Sequence, residues 1–89
     1  MNLHKPDQME KKQVISKAEA IIRERSYWPE KEKIDNDFDF SNDLGMDSQD
    51  HMEMIMNCED EFNINIPDTD AEDITTPNKL YEYLWKQMQ

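Results

Sequence analysis

Ser48 lies in the stretch LGMDSQD, residues 44–50, three positions after Gly45, the single glycine of the chain. A hydroxyl in that setting is a candidate attachment point. Asp47 followed by Asp50 has capping-box spacing, an acceptor at the N-cap and an acid at N3. Ser48 then falls on the first helical position, with its side chain clear of the rest. Gly45 lets the preceding chain take a positive φ or pass close to something bulky. A phosphodiester on Ser48 would meet the positive end of that helix. The plainer reading of DSQD is a helix start alone, since serine and aspartate are common there.

Two other chemistries fit these residues less well. Ser48, His51 and Asp47 could be read as nucleophile, base and orienter. They share one turn, and at 100° per residue His51 points about 60° away from Ser48. There is no glycine-rich loop for an oxyanion hole and no second site residue far off in the chain. No catalytic residue is therefore assigned. The segment DNDFDFSNDLGM starts with acids at positions one, three and five, as a calcium loop does. Phe40 falls where such a loop needs glycine, and Met46 where it needs a bidentate glutamate. No metal site is assigned either, beyond weak charge relief by clustered carboxylates.

The elements that must position Ser48 follow from apolar spacing. Val14, Ile15, Ala18, Ile21 and Ile22 recur on one face of a first helix. Asp7 is its expected N-cap, and it fades near Arg25 before SYWPE. A second helix is expected from about Asp47 to Phe62. Leu80, Tyr81, Leu84, Trp85 and Met88 mark another, with Thr76 at its N-cap and Pro77 at its first position. Between them, Asp68 after Pro67 starts a short helical turn ending near Asp73. FNINI alternates as a strand does, but no segment offers it a partner, and paired strands alone are marginal. The connection 27–46 is long for a structureless loop, so Ile34, Phe38, Phe40 and Leu44 must pin it. The expected fold is all-α: a small four-helix bundle of three main helices and one short one, with a long first loop.

The chain has 89 residues, enough for one small domain near the lower limit for independent stability. Residues 1–7 read as an N-terminal extension, expected to be mobile. Net charge is −11, from 21 acidic and 10 basic residues. Such a surface repels phosphate backbones, so nucleic acid is not expected as a partner and basic patches on proteins are. The single cysteine, Cys58, cannot form an internal disulfide, which suits a reducing compartment. The opening MNLHKPDQME has no apolar core and does not read as a signal peptide. No run approaches the roughly 20 apolar residues that cross a bilayer. The expectation is a cytoplasmic monomer.

The second helix carries two apolar stripes. Met54, Ile55, Cys58 and Phe62 fall within about 100° of one another, the width of a core-facing stripe. Gln49, Met52 and Met56 lie on roughly the opposite side, flanked by Glu53 and Asp60 on one edge and Glu59 on the other. Exposed methionines can simply be tolerated. The sharper reading is a docking face: flexible, polarizable side chains ringed by carboxylates, for partners presenting apolar and basic groups.

Taken together these residues resemble the acyl carrier protein family. The likeness runs from about Ile34 to Leu84, centred on LGMDSQD. It continues through EMIMNCEDEFNINIPDTDAEDITTPNKLYEYL, where Phe62, Ile66, Pro67, Asp68, Ile74, Thr75 and Thr76 keep the family's order. The resemblance implies a four-helix bundle with a short third helix. It implies that Ser48, beside Gly45 and Asp47, takes a phosphopantetheine arm from coenzyme A through a phosphopantetheinyl transferase. The arm would carry acyl groups as thioesters, and the protein would supply presentation rather than chemistry. Implied partners are ketosynthases, acyltransferases or other acyl-handling enzymes of fatty acid, polyketide or related lipid synthesis. They would meet Gln49, Asp50, Met52, Glu53, Met56, Glu59 and Asp60. Met54, Ile55, Cys58, Phe62, Ile66, Ile74, Leu80 and Leu84 match core or acyl-pocket positions. Gln49 stands where the family usually has leucine, and Met54 and Cys58 where branched aliphatics are usual. The alternatives are an acidic, carrier-like interaction module that is never modified, and an aminoacyl or peptidyl carrier.

Overall fold

The computed structural model describes residues 10–89. Asp7 and the 1–7 extension lie outside the described residues, and the N-cap of the first helix is Glu10 where Asp7 was expected. Four helices follow in order: α1 Lys11–Arg25, α2 Ser48–Phe62, α3 Asp68–Asp73 and α4 Pro77–Met88. No strand occurs among the described residues. The all-helical expectation and the short third helix are both met.

Each helix end has a chemical cause. α1 starts on Glu10, whose side chain takes the N3 backbone N–H while Gln13 reaches back to the Glu10 N–H at 2.9 Å. α2 stops at Asn63, which adopts the left-handed conformation at φ 53 and donates its N–H to the Glu59 carbonyl. That reversal at Asn63 breaks the alternation of FNINI before a strand can form. α4 starts where Thr76 accepts the Lys79 N–H at 3.2 Å, with Pro77 in the first turn.

One core joins three of the helices. Val14, Ala18, Ile21 and Ile22 of α1 meet Met54, Ile55, Cys58 and Phe62 of α2 and Leu80, Tyr81 and Leu84 of α4. α1 packs against both α2 and α4. Ile15, Trp85 and Met88, expected on the inner faces, are only half-buried at its margin. α3 buries no residue of its own. Its flanks do the packing: Ile66 before it and Ile74 after it are buried.

The long first loop is pinned as its apolar residues require. Ile34, Phe40 and Leu44 are buried, joined by Met46. Phe38 is half-buried and meets Trp28 edge-on at 5.1 Å. The polar half of the pinning is unexpected. Arg23 fans out from the last turn of α1, donating to the carbonyls of Pro29, Glu30 and Glu32 at 3.3, 3.2 and 2.8 Å. Two backbone bonds then stitch the loop to the α3–α4 joint, Phe40 N–H to the Thr75 carbonyl and Asn78 N–H to the Asn36 carbonyl. The acids of DNDFDFSNDLGM serve this loop. Asp39 Oδ1 accepts from the Ser41 and Asn42 N–H groups at 2.9 and 2.8 Å, and Asp43 accepts from Asp39. Aspartate spacing that resembles a calcium loop is thus used for side-chain turns.

Candidate functional site

Ser48 is the first residue of α2 and is exposed. The capping box holds it there. Asp47 Oδ1 accepts the Asp50 N–H at 2.7 Å, and Asp50 Oδ2 accepts the Asp47 N–H at 3.2 Å. Gly45 sets the approach with φ +72, and nothing lies within 4 Å of where a Cβ would stand. Glycine is therefore required by backbone conformation and not by crowding. The turn it permits directs the Met46 N–H onto the Phe40 carbonyl at 2.9 Å and sends the Met46 side chain into the core. The chain is thus anchored two residues before the helix, and the hydroxyl leaves the bundle at a fixed place.

Beside Ser48 lies an open cleft of about 550 Å³ between α2 and α3. Met52, Ile55, Met56, Ile66, Pro67 and Ala71 give it an apolar lining, with Glu59 and Glu72 among its polar groups. Polar clamps hold its walls together. His51 Nε2 lies 2.8 Å from the Ile74 carbonyl oxygen, and since a carbonyl only accepts, the imidazole donates. Glu59 Oε2 accepts the Ile66 N–H at 2.8 Å. Tyr83 of α4 donates to Asp70 of α3 at 2.8 Å. A six-residue helix with no buried side chain is held mainly by these bonds and by its flanks. His51, which also lies 5.9 Å from the Phe40 ring, is a strut here and not a base for Ser48.

The other sequence candidates separate cleanly. Met52 and Met56 are 61% and 53% exposed. Gln49 and Asp60 are exposed, and Asp50, Glu53 and Glu59 are half-buried. Three of the acids are already engaged: Asp50 by the Asp47 N–H, Glu59 by the Ile66 N–H, and Glu53 by Arg25, whose Nη1 lies 3.7 Å from Oε2. Met54, Ile55, Cys58, Phe62, Ile66, Ile74, Leu80 and Leu84 are all buried. Only Ile55 and Ile66 of that set reach the cleft. Burial pushes the Cys58 thiol up to about 12, helped by the charges of Glu59 and Glu61, so it stays protonated. His51 as a strut and Arg25 as a partner of Glu53 were not foreseen. Their partners are 23 and 28 residues away in sequence, beyond any local pattern.

Comparison with known proteins gives the same region a common description. Residues 17–84 match the family model described as phosphopantetheine attachment site. That segment takes in all of α2 and α3 and parts of α1 and α4. A protein of Cyanidioschyzon merolae named acyl carrier protein is 37% identical over 76 residues, covering 85% of this chain and 82% of that one. One of the same name from Lactobacillus johnsonii is 38% identical over 76 residues, covering 85% and 94%. Another, from Chlorobium phaeobacteroides, is 41% identical and covers 78% of this chain and 97% of its own.

Proposed function

Because this chain belongs to the acyl carrier proteins, we propose that Ser48 is its phosphopantetheine attachment residue. The proposal has α2 and its rim present the loaded arm to enzymes that build fatty acids, polyketides or related lipids. Members of the family are carriers and not catalysts, and they bind phosphopantetheine covalently. When bound, that group supplies a terminal thiol able to hold acyl groups as thioesters.

The residues at the start of α2 suit such a group. Ser48 is exposed at the helix N-terminus, where no described residue takes the Ser48 or Gln49 N–H. Those donors and the helix dipole favour a phosphodiester. Asp47 and Asp50 satisfy each other, which keeps their carboxylates tied to the backbone and leaves the hydroxyl clear for a transferase. The open cleft alongside gives the modified residue an apolar wall. Glu59 fixes the far end of that wall by holding the Ile66 N–H.

Gln49, Met52 and Met56 face outward beside Ser48, with Asp50, Glu53, Glu59 and Asp60 around them. Two adaptable thioethers within an acidic rim suit phosphopantetheinyl transferase, ketosynthase or acyltransferase surfaces that are apolar at the centre and basic at the edge. Met54, Ile55, Cys58, Phe62, Ile66, Ile74, Leu80 and Leu84 are the side chains that an acyl group entering the bundle would meet. The reading extends to a monomeric carrier working in the cytoplasm. No helix among the described residues is long and apolar enough to cross a membrane.

One observation carries the proposal: an exposed serine at the first position of a capped helix, beside the cleft. Intact mass after co-expression with a phosphopantetheinyl transferase tests it. The expected result is a gain of one phosphopantetheine, absent in Ser48→Ala. A mass unchanged with every transferase tried would favour an unmodified interaction module instead.

A further inference from the structure

α2 has a neighbour that changes the charge of its acidic rim. Arg25, the last residue of α1, is about one third exposed and reaches across to α2. Its Nη1 lies 3.7 Å from Glu53 Oε2. The Asn57 amide, turned so that its oxygen faces the guanidinium, accepts from Arg25 Nε and Nη2 at 3.1 Å each. The cation is thus held at three points. It sits in a shallow groove with Ile21, Glu24, Asn57, Asp60 and Glu61.

Such a pair adds little to stability, being partly exposed. Its effect at a distance is larger. An approaching basic side chain, about a Debye length of 8–10 Å away, feels a lone carboxylate as a charge. It feels a carboxylate beside a guanidinium as a dipole, whose field falls off faster. Glu53 therefore loses most of its long-range attraction. A basic group that comes close on the α1 side meets Arg25 among Glu24, Asp60 and Glu61, and its attraction there is weakened by one charge. On the opposite edge, Glu59 keeps its charge, since a backbone N–H satisfies it without neutralising it.

We propose that Arg25 is a specificity-determining residue of this carrier's docking face. It masks Glu53 and sets a fixed cation on the α1 side of α2. This weakens encounter with partners whose basic groups reach the Glu53 edge, relative to partners that dock by the Glu59 edge. The inference rests on the proposed attachment at Ser48, because transfer onto that hydroxyl reports the encounter.

The test measures kcat and KM for arm transfer onto the apo chain by a transferase with a basic carrier-binding surface. Arg25→Gln should lower KM about three- to tenfold at low ionic strength with kcat unchanged, since such charges act on encounter. The gain should shrink as salt rises past physiological levels. Arg25→Lys, which keeps the charge but loses the fork on Asn57, should stay close to wild type. Glu53→Gln should cost more in the Arg25→Gln background than in the wild type, because only there is the carboxylate released to a partner. A KM left unmoved or raised by Arg25→Gln overturns the proposal. So does a gain indifferent to salt, or a Glu53→Gln cost equal in both backgrounds. Wild type and variants all left unmodified would instead sink attachment at Ser48, and this inference with it.

Discussion

At the scale of single residues, Cys58 shows how position governs reactivity. Its side chain is fully buried in the core on the inner side of α2, and its pKa is driven from 9.0 to about 12 by burial, then by Glu59 and Glu61. Only a thiolate reacts rapidly, so at pH 8 the folded apo chain should react with a thiol reagent no faster than it opens. Once phosphopantetheine is attached, one fast thiol per chain should appear, that of the arm. A titration with an aromatic disulfide reads both states, and a fast thiol in the apo chain would contradict the burial argument. Ser48, by contrast, is exposed, and its place follows from the aspartates on either side. Residues of this kind were legible from local spacing: Asp47 and Asp50 lie three apart, and the geometry of a helix start does the rest. His51, Glu59, Arg23 and Arg25 were not. Each is bonded to a group that chain reversal brings near, and nothing in the letters around them marks the partner.

At the scale of elements, the turn into α2 carries the main constraint. Gly45 takes φ +72 with open space about it. Gly45→Ala should therefore destabilise the fold by about 1 kcal/mol, from backbone strain alone. Gly45→Asn should cost less, since asparagine tolerates the left-handed region better. Urea midpoints of the three proteins measure the order, and an alanine variant as stable as wild type would refute it. The starts of α2, α3 and α4 were readable because each has a local cause: the Asp47–Asp50 box, Pro67 before Asp68, and Thr76 with Pro77; the start of α1 was not, since Glu10 caps it in place of Asp7. The strand reading of FNINI fails at one residue. Asn63 turns left-handed to close α2, and Ile66 goes into the core while its N–H goes to Glu59. α3 was legible as a short helix, but not as one held by His51, Glu59 and Tyr83 without a buried residue of its own.

At the scale of the whole molecule, charge opposes compaction. Net charge is −11, and several of the few cations are engaged in links between or within helices: Lys11 with Glu82, Lys17 with Glu61 and Arg23 with Glu19. The acids left over repel one another across a small surface. Added sodium chloride should raise the melting temperature, and magnesium should do so at lower concentration, because both screen or neutralise clustered carboxylates. A melting temperature indifferent to both would show that the repulsion is already relieved. The sequence by itself determined the helix pattern, the N-caps of α2 and α4, the pinning residues of the long loop and the outward hydroxyl. These depend on contacts within a few residues, or on burial of any apolar side chain in the nearest core. Only the tertiary structure decided which acids on α2 remain available and what holds α3. It also decided that the cleft beside Ser48 is lined by Ile55 and Ile66 while Met54, Cys58, Phe62, Ile74, Leu80 and Leu84 stay behind it. Those outcomes depend on which backbone carbonyl, amide or guanidinium arrives opposite a side chain when distant segments meet, and apolar spacing is silent on that.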